Sequence, residues 1–242
     1  MRTEEFIENI AQEAKRNVYR FESIRERVPM GLADTGEFVT AHKEEKPLRY
    51  HHLCVTGAGK GDFIRRTAFV LACIYDKSEA AFLILSPYAE YGELLRLRNA
   101  DVTAPYLRNA ADLEEALLAL KELVWMRSQG QGFPKLVVVA DGLETLQGLS
   151  QADVTDVYKR ILELLDGCPS EVITGVELNR SMYAPRPGTF VGIGNGLVTI
   201  KGGGKADVTY VGSDSSLGIP KEFTYPAQPT ISVSLDYFNT LV

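Results

Sequence analysis

Apolar side chains recur at helical spacing through the start of the chain: Phe6, Ile7, Ile10, Ala14, Val18, Phe21 and Ile24. That spacing predicts one amphipathic helix over 3–27, with its stripe turned toward a packing surface. The segment Val28-Pro29-Met30-Gly31-Leu32 stops it, because proline and glycine punctuate there. The polar stretch from Ala33 to Lys46 reads as a turn followed by a loop or short edge strands.

From Tyr50 onward the pattern changes. Residues 50–56 read as a short buried strand, 57–61 as a tight glycine turn, and 62–75 as a helix with Asp62 near its start, where a carboxylate suits the helix dipole. Strands are expected at 81–85, 136–140, 172–176 and 196–200, and helices at 90–98, 111–128 and 151–166. Continuous apolar runs such as Leu136-Val137-Val138-Val139-Ala140 belong to strands covered on both faces. Strands that alternate with helices imply βαβ units and a parallel sheet. After Ile200, short β-like runs (208–211 and 230–234) suggest a β-rich extension at the sheet edge.

Composition adds boundaries to this picture. With 242 residues, 45% hydrophobic and 24% charged, the chain can bury a sizeable core. No run approaches the length of a membrane span, and the acidic, amphipathic first residues do not read as a signal peptide. Three widely spaced cysteines (Cys54, Cys73, Cys168) suggest neither a disulfide framework nor a zinc site, and Cys73 reads as a buried thiol. A reducing cytoplasm is the expected compartment. A net charge of −6 and a pI near 5.2 argue against a large permanent nucleic-acid surface, though not against DNA contact through a local loop or an oligomer's pore.

The strand–turn–helix at 50–75 is the setting a phosphate loop requires, with backbone amides converging on phosphate oxygens at a helix N-terminus. Thr56, Gly57, Ala58, Gly59, Lys60, Gly61 and Asp62 are therefore the candidate nucleotide-binding residues. Lys60 stands where the lysine of G-x-x-x-x-G-K-[ST] belongs, while Cys54 replaces the first glycine and Gly61 the metal-binding Ser or Thr. Asp62 would bring negative charge close to a bound phosphate. A plain glycine turn is the rival reading. The run 136–141 has the form of a Walker B strand ending in Asp141, the candidate Mg²⁺ ligand. The next residue is Gly142 rather than a water-polarising Glu. Glu144 is a further catalytic candidate, although two residues along a strand end it is expected to point elsewhere.

Taken together these segments resemble the FtsK/SpoIIIE motor domain and the related ATPase domains of type VII secretion. The resemblance covers about residues 25–200. It is carried by Val28 to Leu32 with Asp34 to Glu37, by Leu53 to Lys60, by Ile84 to Pro87, by Ala104 to Leu113, by Val137 to Leu146, and by Glu177 to Ser181. It implies a RecA-like P-loop NTPase fold with a mostly parallel central sheet flanked by helices. It also implies ATP and Mg²⁺ as cofactors, and homo-oligomers or related ATPase subunits as partners. By the same resemblance Asn179 takes the place of a γ-phosphate-sensing Gln, with Arg180 beside it. The chain then divides into an N-terminal amphipathic helix (1–27), an FtsK-like P-loop domain (28–200) and a β-rich extension of that domain (201–242), which does not resemble the family's winged helix.

Activity carries over less well, since Gly61, Ser86, Gly142 and Asn179 stand where the family has catalytic groups. Phosphoryl transfer depends on those positioning parts. The expected protein is a degenerate FtsK-like domain with weak or absent ATP hydrolysis, serving a DNA-transfer or secretion machinery as a structural or regulatory component. Two alternatives stand beside it: an active ATP-dependent DNA or protein translocase, and a pure interaction module that docks through the N-terminal helix. The histidines His42, His51 and His52 are assigned structural or surface roles, and the Arg65-Arg66 pair is read as a solvated helix face.

Overall fold

The computed structural model describes residues 1–42, 50–96, 101–130, 133–166, 168–175, 196–210 and 219–227. Its helices are α1 (Thr3–Arg16), α2 (Val18–Glu26), α3 (Lys60–Ile74), α4 (Ala110–Gln129) and α5 (Gln151–Leu164), with short 3₁₀ turns at Ala89–Arg96 and Leu143–Thr145. The strands are β1 (Pro29–Leu32), β2 (Phe38–Thr40), β3 (Tyr50–Thr56), β4 (Ala80–Leu85), β5 (Asp101–Thr103), β6 (Lys135–Ala140), β7 (Ser170–Gly175), β8 (Gly196–Gly202), β9 (Lys205–Tyr210) and β10 (Lys221–Thr224).

All ten strands share one sheet, ordered β2-β1-β10-β9-β8-β3-β7-β6-β4-β5. From β8 to β5 every pairing is parallel, and from β8 to β2 every pairing is antiparallel. Strand alternation sorts the side chains into two layers. Leu53, Val55, Val137, Val139 and Ile173 pack with α1 and α3 on one face. Cys54, Val138, Ala140 and Val172 pack with α4 and α5 on the other. Side-chain caps fix two helix starts: the Asn109 carboxamide oxygen accepts from Ala111 N and Asp112 N, and Ser150 forms a reciprocal cap with Asp153.

The N-terminal segment differs from its expected form. The helix over 3–27 is broken at Asn17, whose extended backbone ends α1 and whose side chain accepts from Arg20 N to start α2. A short polar side chain that bonds its own backbone competes with helix continuation. The apolar stripe of α1 is used within the chain: Phe6, Ile7 and Ile10 are fully buried in its own core, with the Phe6 and Phe38 rings 5.8 Å apart, while Val18 on α2 is exposed.

β9 and β10 extend the sheet beyond β8, and β10 pairs with β1, so the segment near 221–227 lies beside the N-terminal elements. Ala227 N donates to Met1 O over 2.8 Å, and Arg66 donates to Pro226 O. The expected run at 230–234 lies outside the described residues, as do Asn179 and Arg180.

Candidate functional site

The carboxyl ends of β3, β6 and β7 form the rim where open α/β sheets bind ligands. β3, which leads into the turn with Lys60, and β6, which ends at Asp141, are separated by β7. The site is nevertheless joined, because α3 leads Gly61 back across that gap. A Cβ on Gly61 would lie 3.0 Å from Asp141 Oδ2.

The turn itself is tight. Thr56 stays in the ladder opposite Thr199, so only Gly57, Ala58 and Gly59 leave the strand before α3 begins at Lys60. Gly57 (φ 100°) and Gly59 (φ 90°) take left-handed conformations that side chains disfavour. A Cβ on Gly57 would strike Ile200 O at 2.7 Å, so β8 packs directly against the loop. The Lys60 amide donates to Gly57 O over 3.2 Å. Cys54, in place of the pattern's first glycine, remains inside β3 with its thiol pushed up to about 12 by burial.

Asp141 is wholly buried at the end of β6. Tyr91 Oη donates to its Oδ2 over 3.0 Å, while Oδ1 has no hydrogen-bond partner among the described residues. Gly175 makes room for it, since a Cβ there would lie 2.2 Å from Oδ1. Burial raises the carboxyl above the ordinary aspartate range; Tyr91 opposes the shift, Glu144 adds to it and Lys60 opposes it. On the opposite side of Gly175, Tyr158 from α5 donates to its carbonyl over 2.7 Å.

Glu144 does not point away as the sequence suggests. Gly142 (φ 70°) and the single 3₁₀ turn after it swing the chain back, and Glu144 Oε1 lies 3.4 Å from Lys60 Nζ, with both side chains about four-fifths buried. Tyr88 closes the same corner. A Cβ on Gly142 would fall 2.3 Å from Tyr88 Cε2, so the tyrosine ring occupies the place where a side chain at 142 would begin. Tyr88 follows Ser86, whose hydroxyl accepts from the Tyr88 amide over 3.2 Å.

Asp62 is turned away from the loop. Its carboxylate accepts from Arg65 over 2.7 Å and lies 3.6 Å from Arg66, so its charge is neutralised along α3 rather than aimed at the turn. The two arginines are mostly buried and not a solvated face; the Arg66 guanidinium also stacks 5.5 Å from the Tyr225 ring. His42 and His52 are both buried: His42 Nε2 donates to Glu171 Oε1 over 2.7 Å, and His52 Nε2 shares a hydrogen bond with Thr174 Oγ1. Tyr88, Tyr91, Tyr158 and Gly175 are site residues the sequence reading did not reach. The available signal was the pair of tyrosines three apart just beyond β4.

Mg²⁺ takes oxygen ligands in near-octahedral geometry. Here Gly61 offers no hydroxyl, Asp141 is enclosed with one oxygen bound by Tyr91, and Glu144 is engaged with Lys60. Among the described residues no group of three or more His, Cys, Asp or Glu side chains could hold a metal. As placed, Gly61, Asp141 and Glu144 present no ready Mg²⁺ donor set, and Asp141 is the one of the three that lies where a Walker B acid would. The turn keeps two features of a phosphate site, the left-handed glycines and the N-terminus of a fifteen-residue helix.

A mostly parallel sheet flanked by helices, with a glycine turn and lysine after one strand and a buried Asp at the end of another, is the fold of P-loop NTPases. The solved structures it is similar to include EccC of Thermomonospora curvata. One contains its ATPases 2 and 3 in complex with a signal sequence peptide (TM-score 0.57, 13% identity, 85% of this chain and 41% of that one). Another is the cytoplasmic domain of the same type VII secretion ATPase (TM-score 0.58, 12% identity, 84% and 26%). A third, described as an ATPase, is matched over 84% of this chain and 88% of its own (TM-score 0.55, 10% identity). The chain spans less than half the length of the two EccC chains. The resemblance to FtsK/SpoIIIE-type and type VII secretion ATPase domains therefore holds at the level of the fold. No family model matches the sequence, and no curated protein does. Among the described residues no helix is long and apolar enough to cross a membrane.

Proposed function

We propose that the chain is a retired P-loop domain: a structural or regulatory component that works beside ATPase subunits in a cytoplasmic DNA-transfer or secretion machinery, hydrolysing ATP weakly or not at all. The observation that carries this reading is the Tyr88 ring lying against Gly142. In a hydrolytic site a carboxylate beside the Walker B acid orients the attacking water. Here the residue after Asp141 has no side chain, and the space for one is filled.

Three further features support it. Gly61 supplies no hydroxyl, Lys60 is drawn to Glu144, and Asp141 is shut in the fold, its carboxyl raised above the ordinary aspartate range by burial. The EccC likeness supports partnership with other ATPase domains, by fold alone. The rival, an active translocase, requires Glu144 to leave Lys60 and act on water.

Turnover of ATP with Mg²⁺, measured with and without DNA and with added ATPase partners, tests the proposal. The expected result is no hydrolysis above background by the chain alone. Brisk hydrolysis that Lys60→Ala abolishes would overturn it.

A further inference from the structure

The site contains one lysine facing two carboxylates. Lys60 Nζ is 3.4 Å from Glu144 Oε1, and Asp141 lies fully buried beside Gly61, at the base of the same corner. The charge of Glu144 reaches the whole rim: it helps to raise Asp141, Tyr88 and Tyr158 from their ordinary values. Among the described residues, a phosphate approaching the turn thus meets the Glu144 carboxylate at Lys60 and the Asp141 carboxyl behind it, with no group of three or more His, Cys, Asp or Glu side chains to hold a metal.

We propose that Glu144 is a resident competitor for the turn, its carboxylate taking the Lys60 contact that a phosphoryl oxygen would take. The inference rests on the retired-site reading above and adds the device that keeps the site closed. Gly142 adopts φ 70°, Thr145 Oγ1 donates to Gly142 O over 2.8 Å, and Thr145 N donates to the same carbonyl over 3.0 Å. Those bonds hold the 3₁₀ turn that carries Glu144 over Lys60. Tyr88 packs across Gly142 at the same corner.

An ion pair whose members are four-fifths buried is more strongly felt than an exposed one, and an incoming anion must break it. The ligand admitted after its removal is a phosphoanion bound without metal: the glycine turn and helix N-terminus remain, the octahedral donors do not.

The test titrates the full chain and its Glu144→Gln variant with ATP in excess EDTA and, separately, with inorganic pyrophosphate. Thermal melts of both confirm folding, and Glu144→Ala is the second variant. The expected result is binding about tenfold or more tighter in Glu144→Gln, with the gain lost in the Lys60→Ala/Glu144→Gln double variant. Equal affinities, including no binding by either protein, would overturn the proposal, as would a gain that survives Lys60→Ala. A wild-type chain that hydrolyses Mg²⁺·ATP briskly sinks the retired-site reading, whereas equal affinities in a chain that does not hydrolyse sink only the role of Glu144.

Discussion

Tyr91 Oη donates to Asp141 Oδ2 over 3.0 Å, and the other oxygen of that buried carboxyl has no hydrogen-bond partner among the described residues. The carboxyl is raised above the ordinary aspartate range, because burial penalises the charge more than Tyr91 and Lys60 relieve it. The stability this group contributes is therefore complete below the ordinary aspartate value of 3.8. It is lost as pH rises through the raised native value.

Tyr91→Phe removes the hydrogen bond that opposes the shift. The native value then rises further, and the loss extends over a wider window. We expect Tyr91→Phe to destabilise the protein by about 1–3 kcal/mol near neutral pH, the cost of leaving a buried charged group unsatisfied. The difference from wild type should shrink in acid. Urea unfolding of both proteins across that range measures it, and a difference independent of pH would show that Asp141 is not the group responsible.

Gly175 and Gly142 both exclude a side chain, for different reasons. At Gly175 a Cβ meets Asp141 Oδ1 at 2.2 Å and Ile64 Cδ1 at 2.9 Å, short or packed groups that cannot retreat. At Gly142 the obstacle is the half-exposed Tyr88 ring, which can swing outward, so the positive φ is the larger part of the cost. Gly175→Ala is expected to lose about 3 kcal/mol or more, at the upper end of overpacking effects. Gly142→Ala is expected to lose about 1–2 kcal/mol, and combining it with Tyr88→Ala should recover only the steric share. A double-mutant cycle read by denaturant unfolding separates the two. Full recovery in the double variant would place the whole cost in the ring contact.

The central strands were legible because burial on both faces leaves continuous apolar runs, as in Leu136 to Ala140. The turn and its lysine were legible because the spacing of Gly57, Gly59 and Lys60 belongs to a strand–turn–helix. β5 and β10 were missed. They are short edge or antiparallel pieces with charged ends, such as Asp101 and Lys221, and their identity comes from pairing with β4 and β9. The break at Asn17 hides under an unbroken apolar period, since a single cap is weaker in the pattern than seven well-spaced apolar residues. The position of Glu144 could not be read at all. It depends on the left-handed backbone of Gly142, and a two-residue offset says nothing of direction until that dihedral is known.

The N-terminal helix offers the plainest test of where its stripe belongs. Phe6 is fully buried, packs beside Phe38 and shares a core with Ile7, Ile10 and the residues of α3, whereas Tyr19 on α2 is 90% exposed. If α1 is part of the folding core, Phe6→Ala removes a large buried ring and leaves a cavity. The expected loss is about 3–5 kcal/mol. Tyr19→Ser should change stability by less than about 0.5 kcal/mol. Urea unfolding followed by circular dichroism compares the three proteins directly. A Phe6→Ala variant as stable as wild type would mean that α1 contributes nothing to the fold and is held in reserve for another surface. A loss of the expected size with an unchanged single transition would instead show that α1 unfolds together with the sheet it covers.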